Sequence, residues 1–143
     1  MDDVGLSGVL LTPLKRIPGQ EGEVRHGVKA TDPGFSTFGE AYFSSVNRGA
    51  VKGWKRHSQM TLNLIAVSGC IRFIVRDDQG DFAAFELSPD LPDGYARLTV
   101  PPGLWMAFGG KGEGVNLLLN VANLPHDPSE AENRPLANFE WSW

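Results

Sequence analysis

Two side chains able to handle protons stand two residues apart at Lys55 and His57, in the stretch VKGWKRHSQMTLNLIAVSG that runs from Val51 to Gly69. In an extended strand, residues two apart project to the same side. Lys55 and His57 therefore share one face, while Trp54 and Arg56 take the other. A basic pair leading into the apolar run LNLIAV and closed by Gly69 is the pattern of a strand that lines a cavity. Imidazole changes charge near neutral pH and suits a proton shuttle. A lysine in a partly dry cavity loses some of its preference for the charged form, so it can act as a base or polarise a carbonyl. The alternative is a Lys55 that reaches back to solvent and a His57 hydrogen-bonded within a barrel.

Further polar and aromatic residues interrupt apolar segments. Asn63 and Asn120 lie within otherwise apolar strands, where each amide needs partners, and a ligand hydroxyl would serve; Asn116, near a strand start, is expected at the surface. Arg72 interrupts CIRFIV at alternating spacing and either meets a diphosphate bidentately or points to solvent. Trp105 is either a stacking platform for a base or sugar ring or a buried barrel tryptophan. His126 in PHDPSE closes a cavity mouth or belongs to the turn capped by Asp127, and His26 is equally open. The tail FEWSW is too apolar to hang in water and should pack on the barrel or on a partner subunit.

These residues need a scaffold, and its class is readable from punctuation. Seventeen glycines and ten prolines are spread through 143 residues, which favours many short strands joined by turns. Ten segments read as strands: GVLLT, EVRHGV, STFGEAYFSSV, AVKGWKRH, LNLIAV, CIRFIVRD, FAAFEL, ARLTV, LWMAF and VNLLLNVA. AVSGCIRFIVRDDQGDFAAFEL reads as a meander, with hairpin turns at Ser68-Gly69 and at Asp78-Gln79-Gly80. Only DPSEAENR suggests a helical turn, with Asp127 or Ser129 as cap and Glu130 and Glu132 in its first turn. The expected fold is all-β, a double-sheet jelly roll in one domain over residues 1–143.

Composition narrows the partners. Thirteen Lys and Arg against seventeen Asp and Glu give a net charge of -4, poor for gripping a phosphate backbone, so nucleic acid is not an expected partner. Cys70 is the single cysteine, so neither an intrachain disulfide nor a thiolate metal cluster can form, and a reducing cytoplasm is the natural setting. The opening MDDVGLSGVLLTPLKR begins acidic and holds only a short apolar stretch, whereas a spanning helix needs roughly 20 apolar residues; no membrane association is expected.

The same central stretch resembles the first motif of the cupins, a His-x-His pair followed by Glu and a closing Gly. Counting from His57, the Glu position is Leu62 and the glycine is Gly69. The second cupin motif resembles PPGLWM, with Met106 at the histidine position. Of four usual metal ligands only His57 remains. Lys55, Leu62 and Met106 cannot complete a first-row metal site, so no metal and no other cofactor is expected.

Within that superfamily, residues 36–135 resemble the dTDP-4-dehydrorhamnose 3,5-epimerase family (RmlC-like cupins) and the related dTDP-sugar 3,4-ketoisomerases. The matching words are KGWK-x-H at Lys52 to His57, M-x-LN at Met60 to Asn63, P-x-G-x-W at Pro101 to Trp105 and HDP-x-E at His126 to Glu130. The resemblance implies a metal-independent epimerase or isomerase acting on a nucleotide-linked 4-keto-6-deoxy sugar in surface polysaccharide biosynthesis, working as a homodimer. Such chemistry needs a base for the α-proton, a cation for the enolate oxygen and an acid on the opposite face. By position, the family's base histidine falls on Lys55, with His57 at the second histidine of the ketoisomerase pair. The tyrosine acid falls near Leu124, where no aromatic stands, and no orienting aspartate is assigned. Tyr42 in EAYF matches a tyrosine near the sugar in the ketoisomerases, or forms an ordinary cross-strand pair. The expected site is thus Lys55 and His57 for catalysis, with Tyr42, Asn63, Arg72, Trp105, Asn120 and His126 around the substrate. The competing reading is a sugar or nucleotide-sugar binding barrel without catalysis.

Overall fold

Alternating apolar and polar residues build two antiparallel sheets that face each other across the interior. The computed structural model describes residues 2–3, 6–141 and 143. Its strands are β1 (Asp2–Asp3), β2 (Leu10–Pro13), β3 (Arg16–Ile17), β4 (Val24–Arg25), β5 (Glu40–Ser45), β6 (Val51–His57) and β7 (Leu62–Ser68). They continue as β8 (Ile71–Arg76), β9 (Phe82–Leu87), β10 (Ala96–Val100), β11 (Trp105–Gly110), β12 (Leu117–Ala122) and β13 (Ala131–Asn133). One sheet runs β1-β2-β10-β7-β12-β5 and the other β13-β6-β11-β8-β9, while β3 and β4 form a separate ribbon. All ten expected strand segments contain a strand, and the arrangement is a jelly roll.

The core follows from period two. Leu62, Leu64 and Ala66 of β7 point inward against Ile71, Phe73 and Val75 of β8, joined by Leu98, Val100, Met106 and Leu118. Burying each large apolar side chain contributes about 1.5–3 kcal/mol. The opposite face of the β6-β11-β8 region carries a second apolar layer of Trp54, Ile74, Trp105 and Ala107. The chain's own tail covers it: Phe139, Trp141 and Trp143 pack there, with Phe139 edge-on to Trp54 at 5.4 Å. Of the FEWSW tail, Ser142 lies outside the described residues.

The expected hairpin at Ser68-Gly69 does not form. Both edges of β7 are taken by β10 and β12, and both edges of β8 by β9 and β11, so the chain crosses from one sheet to the other at this point. Asn116 holds that corner and is not at the surface as expected, being 1% exposed. Its Oδ1 accepts from the main-chain N–H groups of Cys70 and Gly112, and its Nδ2 donates to the carbonyls of Val46 and Gly112. The hairpin between β8 and β9 is present, with Asp77 Oδ1 accepting from the N–H groups of Gln79 and Asp81. EVRHGV shortens to the two residues of β4, whose exposed ribbon with β3 has no second face to bury.

The helical turn in DPSEAENR is a single 3-10 turn, Pro128–Glu130, with Asp127 accepting from the N–H of Ser129 at its start. Glu132 lies beyond it on β13, not in the turn. Among the described residues no helix is long and apolar enough to cross a membrane.

Candidate active site

A cavity of about 500 Å³ remains between the sheets at the β5, β6 and β12 end. That volume is within the usual range for small-molecule sites, roughly 300–1,000 Å³. Leu62, Leu64, Met106, Phe108 and Leu118 make its apolar floor, and its polar lining includes Tyr42, Ser44, Lys52, Lys55, His57 and Asn120. The four positions at which the sequence resembles metal-binding cupins, Lys55, His57, Leu62 and Met106, all meet in this cavity. A single imidazole among them is too few donors for a divalent ion.

Lys55 and His57 reach the cavity because β6 alternates as a strand should, with Trp54 and Arg56 on the outside. Trp54 is sealed under the tail, and Arg56 lies 4.5 Å over the Trp105 ring while bonding Asp78 and Glu132. Strict alternation would also put Lys52 outside. Pairing with β11 joins Arg56 to Trp105 and Lys55 to Met106, then resumes at Lys52 to Phe108, so Gly53 and Trp54 together oppose Ala107. This is a β-bulge, and the extra residue reverses the alternation before it. Lys52 therefore lines the cavity, its Nζ donating to Ser44 Oγ at 3.2 Å and the Ser45 carbonyl at 2.6 Å. Gly53 is required there: its φ is +149°, and a Cβ would come within 2.4 Å of the Ala107 Cβ.

His57 has a carboxylate partner that the sequence reading did not find. Its Nδ1 lies 2.6 Å from Glu130 Oε1, with the two side chains only 12% and 9% exposed. Glu130 Oε2 accepts from the main-chain N–H groups of Gln59 and Met60 at 2.9 and 2.8 Å, and the Glu130 carbonyl accepts from Ser58 N–H. Burial works to raise the Glu130 carboxyl, but the bonds from His57, Gln59 and Met60 outweigh it and hold it below the usual range. The sequence signal was the PHDPSE word, whose last residue is Glu130. Among the described residues no protein group bonds His57 Nε2, and none bonds or pairs with Lys55 Nζ.

Across the cavity, Tyr42 extends from β5 of the facing sheet, and its oxygen accepts from Asn120 Nδ2 at 3.1 Å. The other expected contacts stand elsewhere, three of them by parity. Asn63 lies between the cavity residues Leu62 and Leu64 and so faces the other side of its sheet. There its Oδ1 accepts from Arg97 Nε and Thr99 Oγ1. Trp105 precedes the inward Met106 and packs outside against Phe139. Arg72 precedes the inward Phe73 and bonds Glu86 on the outer face. His126 is exposed in a separate groove beside Ser58, Leu124 and Glu130. His26 lies on the connection after β4, its carbonyl accepting from Tyr95 Oη. The position near Leu124 carries no acid; Leu124 packs against the core.

Comparison with known proteins gives structural relatives; no protein-family model and no curated protein matches the chain. The crystal structure of a dTDP sugar isomerase from Desulfovibrio desulfuricans G20 is similar with a TM-score of 0.84 and 37% identity, over 90% of this chain and 85% of that one. The 3,4-ketoisomerase QdtA from Thermoanaerobacterium thermosaccharolyticum, solved with TDP-4-keto-6-deoxyglucose, superposes at a TM-score of 0.75 with 21% identity, over 89% of this chain and 88% of that one. ChmJ, a 3'-monoepimerase from Streptomyces bikiniensis solved with dTDP, reaches a TM-score of 0.85 at 12% identity, over 100% of this chain and 78% of that one. At these lower identities the last two speak for the fold alone.

Proposed function

The chain belongs to the RmlC-like cupin family of dTDP-sugar isomerases and epimerases, and from that premise we propose that it moves a proton beside the ketone of a nucleotide-linked 4-keto-6-deoxy sugar. The observation that carries this reading is the 2.6 Å contact between His57 Nδ1 and Glu130 Oε1 at the wall of a ligand-sized cavity. With Nδ1 donating to the carboxylate, the lone pair of the neutral ring is on Nε2, the nitrogen left for a ligand. Nε2 takes the α-proton, and Glu130 stabilises the imidazolium that results. The Lys55 ammonium holds the oxygen on which enolate charge develops.

Tyr42 returns a proton to carbon. It stands on the sheet facing His57 and Lys55, so removal and return occur on opposite sides of a sugar lying between the sheets. The apolar floor of Leu62, Met106 and Leu118 suits the methyl group of a 6-deoxy sugar. The donor set asks for no metal, since one imidazole cannot hold a divalent ion.

We place the protein in the cytoplasm, in surface polysaccharide biosynthesis, as a single cupin domain that dimerises. The exposed edge strand β5, with Phe43 65% exposed, supports pairing of two copies. The test is incubation with dTDP-4-keto-6-deoxyglucose in deuterium oxide. Deuterium entering C3 or C5 is the expected result. A raised melting temperature with dTDP-, GDP- or UDP-sugars and no deuterium entry would replace the enzyme with a sugar-nucleotide binding barrel.

A further inference from the structure

We infer that Asn120 is a positioning residue that fixes the direction of the hydrogen bond at Tyr42 and thereby turns the Tyr42 proton toward the ligand; the inference rests on the proton-transfer reading of the cavity. Asn120 on β12 is directly opposite Tyr42 on β5 and is 2% exposed. Its Oδ1 lies 3.2 Å from the main-chain nitrogen of Asn63, and its Nδ2 lies 3.1 Å from the Tyr42 oxygen. A main-chain N–H can only donate, so the amide atom facing it must be the carbonyl oxygen. The NH2 group is then committed to Tyr42. An amide nitrogen also only donates, so the Tyr42 oxygen is the acceptor and its own proton must point elsewhere.

The anchor behind Asn120 is rigid. On the far side of the sheet, the Asn63 side chain is held by Arg97 Nε at 3.1 Å, Thr99 Oγ1 at 2.7 Å and the Gly34 carbonyl at 3.1 Å. The Asn63 N–H therefore cannot turn away to release the amide. Tyr42 lines the cavity, and among the described residues no protein group accepts from it. Tyr42 is 43% exposed, so the partner left is solvent in the ligand-free protein and a ligand oxygen or carbon when the cavity is filled. The titratable groups facing Tyr42 are Lys52, Lys55 and His57 of β6. The other facing elements give Leu62 and Leu64 of β7, Met106 and Phe108 of β11 and Asn133 of β13, and Glu40 shares its side of β5 by alternation.

Asn120→Asp tests this with little change in shape. One carboxylate oxygen still accepts from Asn63, but the other can only accept from Tyr42 while ionised, which draws the tyrosine proton away from the ligand. The rate at which inverted product forms should fall about 100-fold above neutral pH with KM little changed. Relative to the wild-type rate at the same pH, it should recover as the pH falls and the new carboxyl gains a proton to donate. A purely structural role would give a loss independent of pH. That outcome, or a wild-type pH profile in the variant, overturns the inference while leaving the reading of the cavity intact. Absence of exchange in the wild-type protein overturns both.

A measurement on the native protein covers the case in which the variant fails to fold. Tyr42 and Tyr95 are its two tyrosines, and Tyr95 donates to the His26 carbonyl. The resonance Raman Fermi doublet, with a Tyr42→Phe spectrum subtracted, should show Tyr42 as an accepting hydroxyl. A doublet showing Tyr42 as a donor only, with no accepted bond, overturns the inference.

Discussion

Glu130 Oε1 stands 2.6 Å from His57 Nδ1, although the two residues are 73 apart in the chain. The connection after β6 folds over the Pro128–Glu130 turn, so that Ser58, Gln59 and Met60 give their N–H groups to Glu130. β13 then pairs with β6 and places Ala131 opposite His57. The carboxylate is thus held by main chain on one oxygen and by imidazole on the other, which leaves neither side chain freedom to turn.

Replacing Glu130 with Gln should separate orientation from charge. The Gln oxygen can still accept from Gln59 and Met60, but an NH2 facing Nδ1 would force the ring proton onto Nε2 and block its use as a base. The exchange rate should drop about 100- to 10,000-fold with KM little changed. Exchange kinetics at saturating sugar nucleotide check this, and an unaltered rate removes the dyad from the mechanism.

The two cavity lysines should behave differently. Lys55→Ala removes the cation assigned to the enolate and should lower kcat about 100- to 1,000-fold. Lys52 is already bonded to Ser44 and Ser45, so Lys52→Ala should act chiefly through KM. Steady-state kinetics on both variants distinguish the roles. If Lys55→Ala and His57→Ala each left turnover and ligand binding as they were, the assigned pair would be abandoned.

Acid should loosen the site through Glu130. Its folded-state pKa is lowered, so its contribution to stability is fully present above the unfolded value of about 4.3 and is lost as the pH falls through the lower folded value. Melting temperatures taken from pH 7 down to pH 3 should therefore fall mainly at the acid end. Glu130→Gln should flatten that decline; an identical slope in both proteins would show that the carboxylate does not contribute.

Arg97 should be the costliest surface-distant substitution. It is 0% exposed and bonds Asn63 Oδ1, the carbonyls of Gly27 and Pro33, and Asp32, which ties residues 27–33 to the outer side of β10. Burial acts to lower its pKa and Asp32 opposes that, so the guanidinium depends on its partners. Arg97→Ala should destabilise the fold by about 3–5 kcal/mol, measured by urea unfolding. A loss under 1 kcal/mol would contradict the network.

Cys70 should be slow to react. Burial, followed by the nearby Glu86 carboxylate, pushes its thiol up to about 11. Near pH 8 its thiolate fraction is then about 200-fold below that of an ordinary thiol. Alkylation by iodoacetamide in the native protein, followed by mass spectrometry, should be slow in proportion, and free-thiol kinetics would refute the assignment.

Much of the scaffold was legible because strands announce themselves locally. FAAFEL and ARLTV became β9 and β10 residue for residue, and the alternation of VKGWKRH correctly sent Lys55 and His57 to one face and Trp54 to the other. The same rule, applied to Asn63, Arg72 and Trp105, would have sent all three away from the cavity, since each neighbours an inward residue. At those positions the polar or aromatic type suggests a ligand contact, but parity decides where the side chain points.

By itself the sequence determined the all-β class, the strand segments and the inward pair, because period-two patterning is carried by neighbouring residues. Tertiary structure alone decided which strands share a sheet, that Gly69 is a crossing instead of a hairpin, and that the Gly53 bulge turns Lys52 inward. It alone brought Glu130 to His57. These outcomes depend on closure of two sheets around a common core, a condition set by contacts between residues far apart in the chain, and no local window of sequence contains them.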